Sequence, residues 1–360
     1  MAPATPGPDA PVACRVCGGP ALSRTVGVCR ACLMADPAAS GRIHAVRRAS
    51  RARFGLPEAP PRTADGIRCA ECANLCSIPE GARGFCGLRT VRDGRLIHLA
   101  GTPSRGLLRW YRDPLPTNCV ADWVCHGSRQ PGRSNLAVFY ASCTMDCIFC
   151  QNWHFRSMSP EGATVSAREL ADAVTPQTFC ACFFGGDPAS QMGHALAAGK
   201  TLAGRGIRVC WETNGTMHPR LLDAAMNLSL HSGGCVKFDL KAWDDRLHHA
   251  LTGVPNRRPL ENFARIGARF SQRLDPPLLV ASTLLVPGYV MPEEVGAIAR
   301  FIASIDPRIP YTLLAFAPMY LLSDLPATSF THAREAEEAA LAAGLERVRI
   351  GNRHLLTDGV

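Results

Sequence analysis

The sequence predicts an α/β fold, a partial parallel (β/α)6 barrel preceded by N-terminal cysteine-rich metal-binding modules. Three observations lead there. From about Asn135 onward, short β-rich apolar runs alternate with amphipathic helical stretches, the pattern of parallel β/α units. The 360 residues exceed one small domain and suit a barrel with appended modules. Seventeen cysteines are present, and thirteen of them fall in short-spaced groups ahead of residue 151, as metal ligands do.

Residues 1–36 make the first expected module. The Pro/Ala-rich stretch 1–13 offers no core and is expected to be disordered. Cys14-x2-Cys17 and Cys29-x2-Cys32 then form paired knuckles, with Gly18 and Gly19 allowing the tight turn after the first. Four thiolates close a tetrahedral site, so a zinc ribbon is expected, with rubredoxin-like iron as the alternative. Residues 37–66 read as a basic, Pro-rich linker. Arg42, Arg47, Arg48, Arg51 and Arg53 lie close together there, with no acid from Pro37 to Pro57. A solvated helix or linker accounts for them better than a nucleic-acid surface, because no aromatics interleave with them. Residues 67–130 hold a second module, in which Cys69-x2-Cys72-x3-Cys76-x9-Cys86 suits zinc or a second cluster. Cys119, Cys125 and His126 are either supplementary ligands or a buried loop.

The barrel is expected over 131–360. Its candidate strands are 136–140, 179–186, 207–213, 235–240, 277–286 and 311–317, with helices over 166–174, 245–253 and 292–305. Parallel β/α folds keep their chemistry at the C-terminal ends of the strands, and the polar motifs here each follow a strand. Cys180, Cys182, Cys210 and Cys235 sit inside apolar strand-like runs and read as small core residues.

The strongest signal is CTMDCIFCQNW, which follows the first barrel strand and places Cys143, Cys147 and Cys150 at C-x3-C-x2-C spacing. A zinc site there would need a fourth ligand such as His154. Three thiolates on one tight loop instead suit a [4Fe–4S] cube with one iron left open. An amino and a carboxylate group can chelate that iron, as those of S-adenosylmethionine (SAM) do, and a reduced cluster can then cleave its sulfonium.

This motif, with Phe149 before the last cysteine, resembles the radical SAM superfamily. CIFCQNW is similar to the branch of pyruvate formate-lyase activating enzyme relatives, including AmmeMemoRadiSam-type proteins. The resemblance runs from about Cys69, since the second module is similar to the CxLCPHxCxIxxGxxGxCGxR element of those proteins. It implies a [4Fe–4S] cluster on Cys143, Cys147 and Cys150, with SAM as cofactor. It also implies that Gly185, Gly186 and Asp187 of GGDP meet the methionine part of SAM. Glu212 and Asn214 of ETNGT would contact SAM or a cation, while Asp239 and Lys241 of FDLK would face the barrel mouth and approach SAM. LLVPGYV (284–290) is similar to the turn that closes over the cofactor, and Tyr140, Phe149, Gln151 and Asn152 are candidate pocket residues. FAPMY (316–320) departs from the family's FHPDY, so the histidine contact is missing at Ala317.

The implied reaction is reductive SAM cleavage followed by hydrogen abstraction from a substrate, a protein glycine by analogy with the activating enzymes. A low-potential flavodoxin or ferredoxin is the implied electron donor. Two rivals stand beside it: radical modification of a peptide, nucleotide or RNA, and a non-catalytic metal-stapled module that binds nucleic acid or protein, which the net charge of +9 leaves open. No run of eighteen apolar residues occurs, and the start lacks a signal-peptide pattern, so no membrane span is expected and a cytoplasmic location is.

Overall fold

The computed structural model describes residues 12–117 and 119–358. The stretch expected to be disordered thus lies outside the described residues up to 11, while Val12 and Ala13 form a strand. That strand, β1 (Val12–Ala13), pairs antiparallel with β2 (Pro20–Ala21), and α1 (Arg30–Ala35) and α2 (Gly41–Arg53) follow. Two further hairpins, β3 (Ile67–Arg68) with β4 (Ser77–Ile78) and β5 (Arg89–Arg92) with β6 (Arg95–His98), frame the second cysteine group.

The main sheet has eight strands in sequential order: β7 (Leu108–Pro114), β8 (Ser134–Tyr140), β9 (Thr178–Gly185), β10 (Arg208–Thr213), β11 (Val236–Asp239), β12 (Leu279–Leu285), β13 (Tyr311–Ala315) and β14 (Val348–Gly351). From β8 to β14 all neighbours are parallel, and β7 runs antiparallel to β8. β7 and β14 are not paired with each other, so the barrel is open. The crossovers are α3 (Ala167–Asp172), α4 (Met192–Gly204), α5 (Pro219–Ser232), α6 (Asp245–Thr252), α7 (Arg257–Gly267), α8 (Pro292–Ile305) and α9 (Phe330–Ala342). Their ends carry ordinary signals. Ser166 and Glu169 form a capping box on α3, and Pro292 with Glu293 and Glu294 opens α8.

All six expected strands occur with ends within two residues of the pattern. β7 was not expected as a strand. It lies within 67–130 yet joins the barrel, and as an exposed edge it carries charged residues where a central strand would be apolar. Alternation sorts the side chains. Val138, Tyr140, Phe183, Val209, Trp211 and Phe238 point outward to the helices and form the core, with Phe183 stacked on Trp211 at 4.7 Å.

Both cysteine modules dock on the end of the barrel where the strands finish. Ser23 Oγ and the Thr25 N–H donate to the Asp324 carboxylate, and Tyr289 Oη donates to the Val28 carbonyl. Gly288 in the VPG turn is pressed against this module, since a Cβ there would sit 2.4 Å from Leu22. The second module reaches the loops after β8 and β10. Asn74 Nδ2 donates to the Thr144 carbonyl at 2.6 Å, Ser142 Oγ donates to the Cys86 carbonyl at 2.9 Å, and the Ala73 N–H donates to the Thr216 carbonyl at 2.8 Å.

Candidate functional site

A cavity opens where the strands end. Cys143, Cys147 and Cys150 line it together with Gly185, Gly186, Asp187, Glu212, Asn214, Asp239 and Lys241. The sequence motifs after β8, β9, β10 and β11 therefore meet in one place, as neighbouring parallel strands require.

The loop that carries the three thiols is held by its own backbone. The Asp146 N–H donates to Thr252 at 2.8 Å and the Ile148 N–H to Leu251 at 3.0 Å, which hangs the loop on the end of α6. The Gly185–Gly186 pair permits a closer approach still. The Gly186 N–H donates to the Tyr140 carbonyl and the Asp187 N–H to the Ser142 carbonyl, both at 2.8 Å. A Cβ on Gly186 would lie 2.1 Å from Ser142 O, so only glycine fits.

Asp187 ties two loops together. It accepts from the Ala189 N–H at 2.7 Å, the Asn214 N–H at 2.6 Å and Thr213 Oγ1 at 3.1 Å. Burial nevertheless pushes its carboxyl up to about 6, against the pull of those hydrogen bonds. Asn214 faces the loop in turn. Its Nδ2 donates to Thr144 Oγ1 at 3.0 Å and approaches Cys143 Sγ at 3.6 Å, while Oδ1 accepts from Thr216. Lys241 pairs with Asp239, and its Nζ lies 5.5 Å from the Phe149 ring centroid. Glu212 pairs with Lys237 at 3.1 Å.

Tyr140 is not brought into the cavity. It shares the outward parity of Val138, and its hydroxyl hydrogen-bonds to His194 of α4 at 2.8 Å. Ala317 is not among the cavity's lining residues, but Tyr320 of the same segment stacks on Trp153 and lies over the Arg156 guanidinium.

The charges beneath the loop escaped the sequence reading. Asp146, between Cys143 and Cys147, is buried with three guanidiniums: Arg156 at 2.6 Å, Arg51 at 3.6 Å and Arg47 at 3.7 Å. Arg47 also donates to the Asp146 and Ala250 carbonyls, and Arg51 to the Pro57 and Phe85 carbonyls. The solvated-helix expectation for the basic run fails here. Arg47 and Arg51 are only 4% and 2% exposed, one helical turn apart on the buried face of α2. Their four-residue spacing was the available signal.

The residues fit an iron–sulfur cluster. Among the described residues, only Cys14, Cys17, Cys29 and Cys32 bring three or more ligand atoms all within 4.8 Å of one another, the arrangement of a single ion. The thiols of the Cys143 loop are spread more widely, as one thiolate per iron demands. At the first module, the Cys29 N–H donates to Cys14 Sγ at 3.4 Å and draws that thiol down to about 6, which favours metal binding. The Cys69 group centres on a small core of Ile78, Phe85 and Val91.

Residues 137–302 match the Radical SAM superfamily. The isethionate sulfite-lyase activating enzyme of Oleidesulfovibrio alaskensis is 34% identical over 260 residues, 69% of this chain and 74% of that one. The enzyme of the same name from Desulfovibrio desulfuricans is 36% identical over 134 residues, 37% of this chain and 40% of that one. The pyruvate formate-lyase 1-activating enzyme of Escherichia coli K12 is 31% identical over 135 residues, 34% of this chain and 52% of that one. With a parallel open barrel and three thiols on the loop after its first parallel strand, the chain belongs to the radical SAM superfamily and is an enzyme. Within it, the chain groups with the relatives of pyruvate formate-lyase activating enzyme. Membership implies SAM and a [4Fe–4S] cluster.

Proposed function

We propose that this protein cleaves SAM reductively at a [4Fe–4S] cluster held by Cys143, Cys147 and Cys150, and that the resulting radical removes a hydrogen atom from a glycine of a partner protein. When bound, the cluster supplies the electron that splits SAM into methionine and the 5′-deoxyadenosyl radical. The rest falls to the chain. Lys241, set by Asp239, offers a cation to the SAM carboxylate beside the thiol loop, 5.5 Å from the Phe149 ring, and Gly185–Gly186 let the backbone pack closely there. Asp187 and Asn214 position the loops rather than supply free acceptors. Arg47, Arg51 and Arg156 offset the negative charge that three thiolates bring, which a lone Asp146 would worsen. The convergence of the three thiols with Lys241 in one cavity carries this reading.

The partner-protein substrate rests on the resemblance to the activating enzymes. The four thiols of residues 14–32 take zinc in this reading, the Cys69–Cys86 group, which lacks that single-ion arrangement, is left to a cluster rather than zinc, and a flavodoxin or ferredoxin reduces the enzyme in the cytoplasm. Residues 12–36 and the hairpin region of 67–98 act as modules bracing the core, and the core takes in β7 as well as residues 131–358.

The experiment is anaerobic reconstitution with iron and sulfide, then dithionite and SAM, with 5′-deoxyadenosine measured. Native protein should produce it, and Cys143→Ala, Cys147→Ala or Cys150→Ala should each abolish it. Undiminished product from any one of these variants would refute the assignment.

A further inference from the structure

Arg156 is a buried cation beside the thiol loop, and one end of its guanidinium has nothing to bond. The 3-10 turn Trp153–Ser157 that follows Cys150 carries it, and its side chain is 1% exposed. Nη2 is spent on Asp146 at 2.6 Å. The Phe155 and Tyr320 rings, each with its centroid 4.7 Å from the guanidinium carbon, hold the group in place. Nη1 is buried without a hydrogen-bond partner. A buried donor left unmatched is unfavourable, and a charged one more so. Arg156 lines the same cavity as Cys143, Cys147 and Cys150, so a group seated on those thiols would supply the acceptor.

The charge balance points the same way. Arg47, Arg51 and Arg156 all reach Asp146, and among the described residues no second carboxylate pairs with any of them. Two of these buried positive charges are therefore unanswered by the chain, and a negative group beside them would relieve that cost. Lys237 shows the contrast. It faces the lumen of the barrel with Cys119, and Cys180, Cys182, Cys210 and Cys235 line that lumen too instead of the helix-packed core expected for them. Glu212 answers Lys237 at 3.1 Å, so its charge is already met.

We propose that Arg156 donates through Nη1 to a sulfur of the [4Fe–4S] cluster, and that Arg47, Arg51 and Arg156 together raise the cluster's reduction potential. This rests on the cluster assignment made above. One-electron reduction adds negative charge to a group that three thiolates already make negative. Fixed cations nearby favour the reduced state, and so does an N–H held against sulfur, because both interactions strengthen as the charge builds. Arg47 and Arg51 stand on α2, ahead of the residues 137–302 that match the superfamily. Two of the three cations thus come from this chain's N-terminal region and not from the matched core.

The test reads the cluster itself and needs no SAM. The full chain is reconstituted anaerobically and titrated with redox mediators, and the reduced cluster is followed by electron paramagnetic resonance (EPR). Arg156→Gln should lower the ratio of reduced to oxidised cluster at a fixed potential roughly tenfold, a fall of about 59 mV in midpoint for one electron. Arg156→Lys keeps the charge but not the planar fork, and its midpoint should fall between those of Arg156→Gln and the native protein. Arg48→Gln, on the exposed side of α2, should match the native protein. Because variants at Arg156 can lose the cluster, the unsubstituted protein is also prepared with arginine labelled by 15N in its guanidinium. Pulsed EPR of its reduced cluster should show a coupled 15N nucleus. A cluster without that coupling, or equal midpoints in native, Arg156→Gln and Arg156→Lys protein, would overturn this proposal and leave the proposed function standing. A native chain that yields no cluster signal at all would overturn both.

Discussion

At the scale of single residues, the candidate site depends on side chains that hold one another. Asp187 shows this best, since the donors that surround it come from its own turn and from β10's end. A carboxyl that titrates at about 6 in the fold binds its proton more tightly folded than unfolded. The fold therefore loses stability from this group as pH rises from about 4 to about 6, and the loss levels off above that. Asp187→Asn should remove this slope. It should also cost about 1–3 kcal/mol at neutral pH, because an amide NH2 would face backbone N–H donors. Denaturation midpoints of both proteins from about pH 4 to about pH 7 check this, and parallel curves would count against it. Gly186→Ala should be more severe, with loss of cluster binding read from visible absorbance, since its new methyl group meets the Ser142 carbonyl.

At the scale of elements, α2 is the instructive case. Its composition is basic, and charge counting alone puts such a helix in solvent or on nucleic acid. The helical period instead places Arg47 and Arg51 on one face, and that face covers Asp146. Arg48 points away, half exposed beside Glu58. Arg47→Ala or Arg51→Ala should each destabilise the protein by about 3–5 kcal/mol and lower cluster occupancy, as broken buried pairs do. Arg48→Ala should change neither. Thermal unfolding with iron quantification separates these outcomes, and a harmless Arg51→Ala would discredit the buried network. The barrel strands were legible because apolar runs between helices have few other homes. β7 was not, since an edge strand needs no apolar face pair.

At the scale of the whole molecule, two cysteine modules brace the mouth of the barrel. The first is held through Asp324, Tyr289 and Gly288, and the second through the Thr144 carbonyl and the Ser142 hydroxyl on either side of Cys143. A module of 25 or so residues has little core of its own and depends on its metal. Cys29→Ser with Cys32→Ser should therefore expose residues 12–36 to rapid amide exchange while β8 to β13 keep their protection. Retained protection in 12–36 would mean that docking alone orders the module.

The order of strands, the cysteine loop and the motifs at the strand ends were determined by the sequence itself, because local patterning and short spacings carry them. Which way each side chain faces across strands far apart in the chain was decided only by the tertiary structure. Tyr140 turned outward, Arg47 and Arg51 inward, and four cysteines that read as core came to line a lumen with Cys119 and Lys237. Parity within a strand is written locally, but whether a face meets helices, solvent or the barrel's interior depends on the closure of the sheet around it.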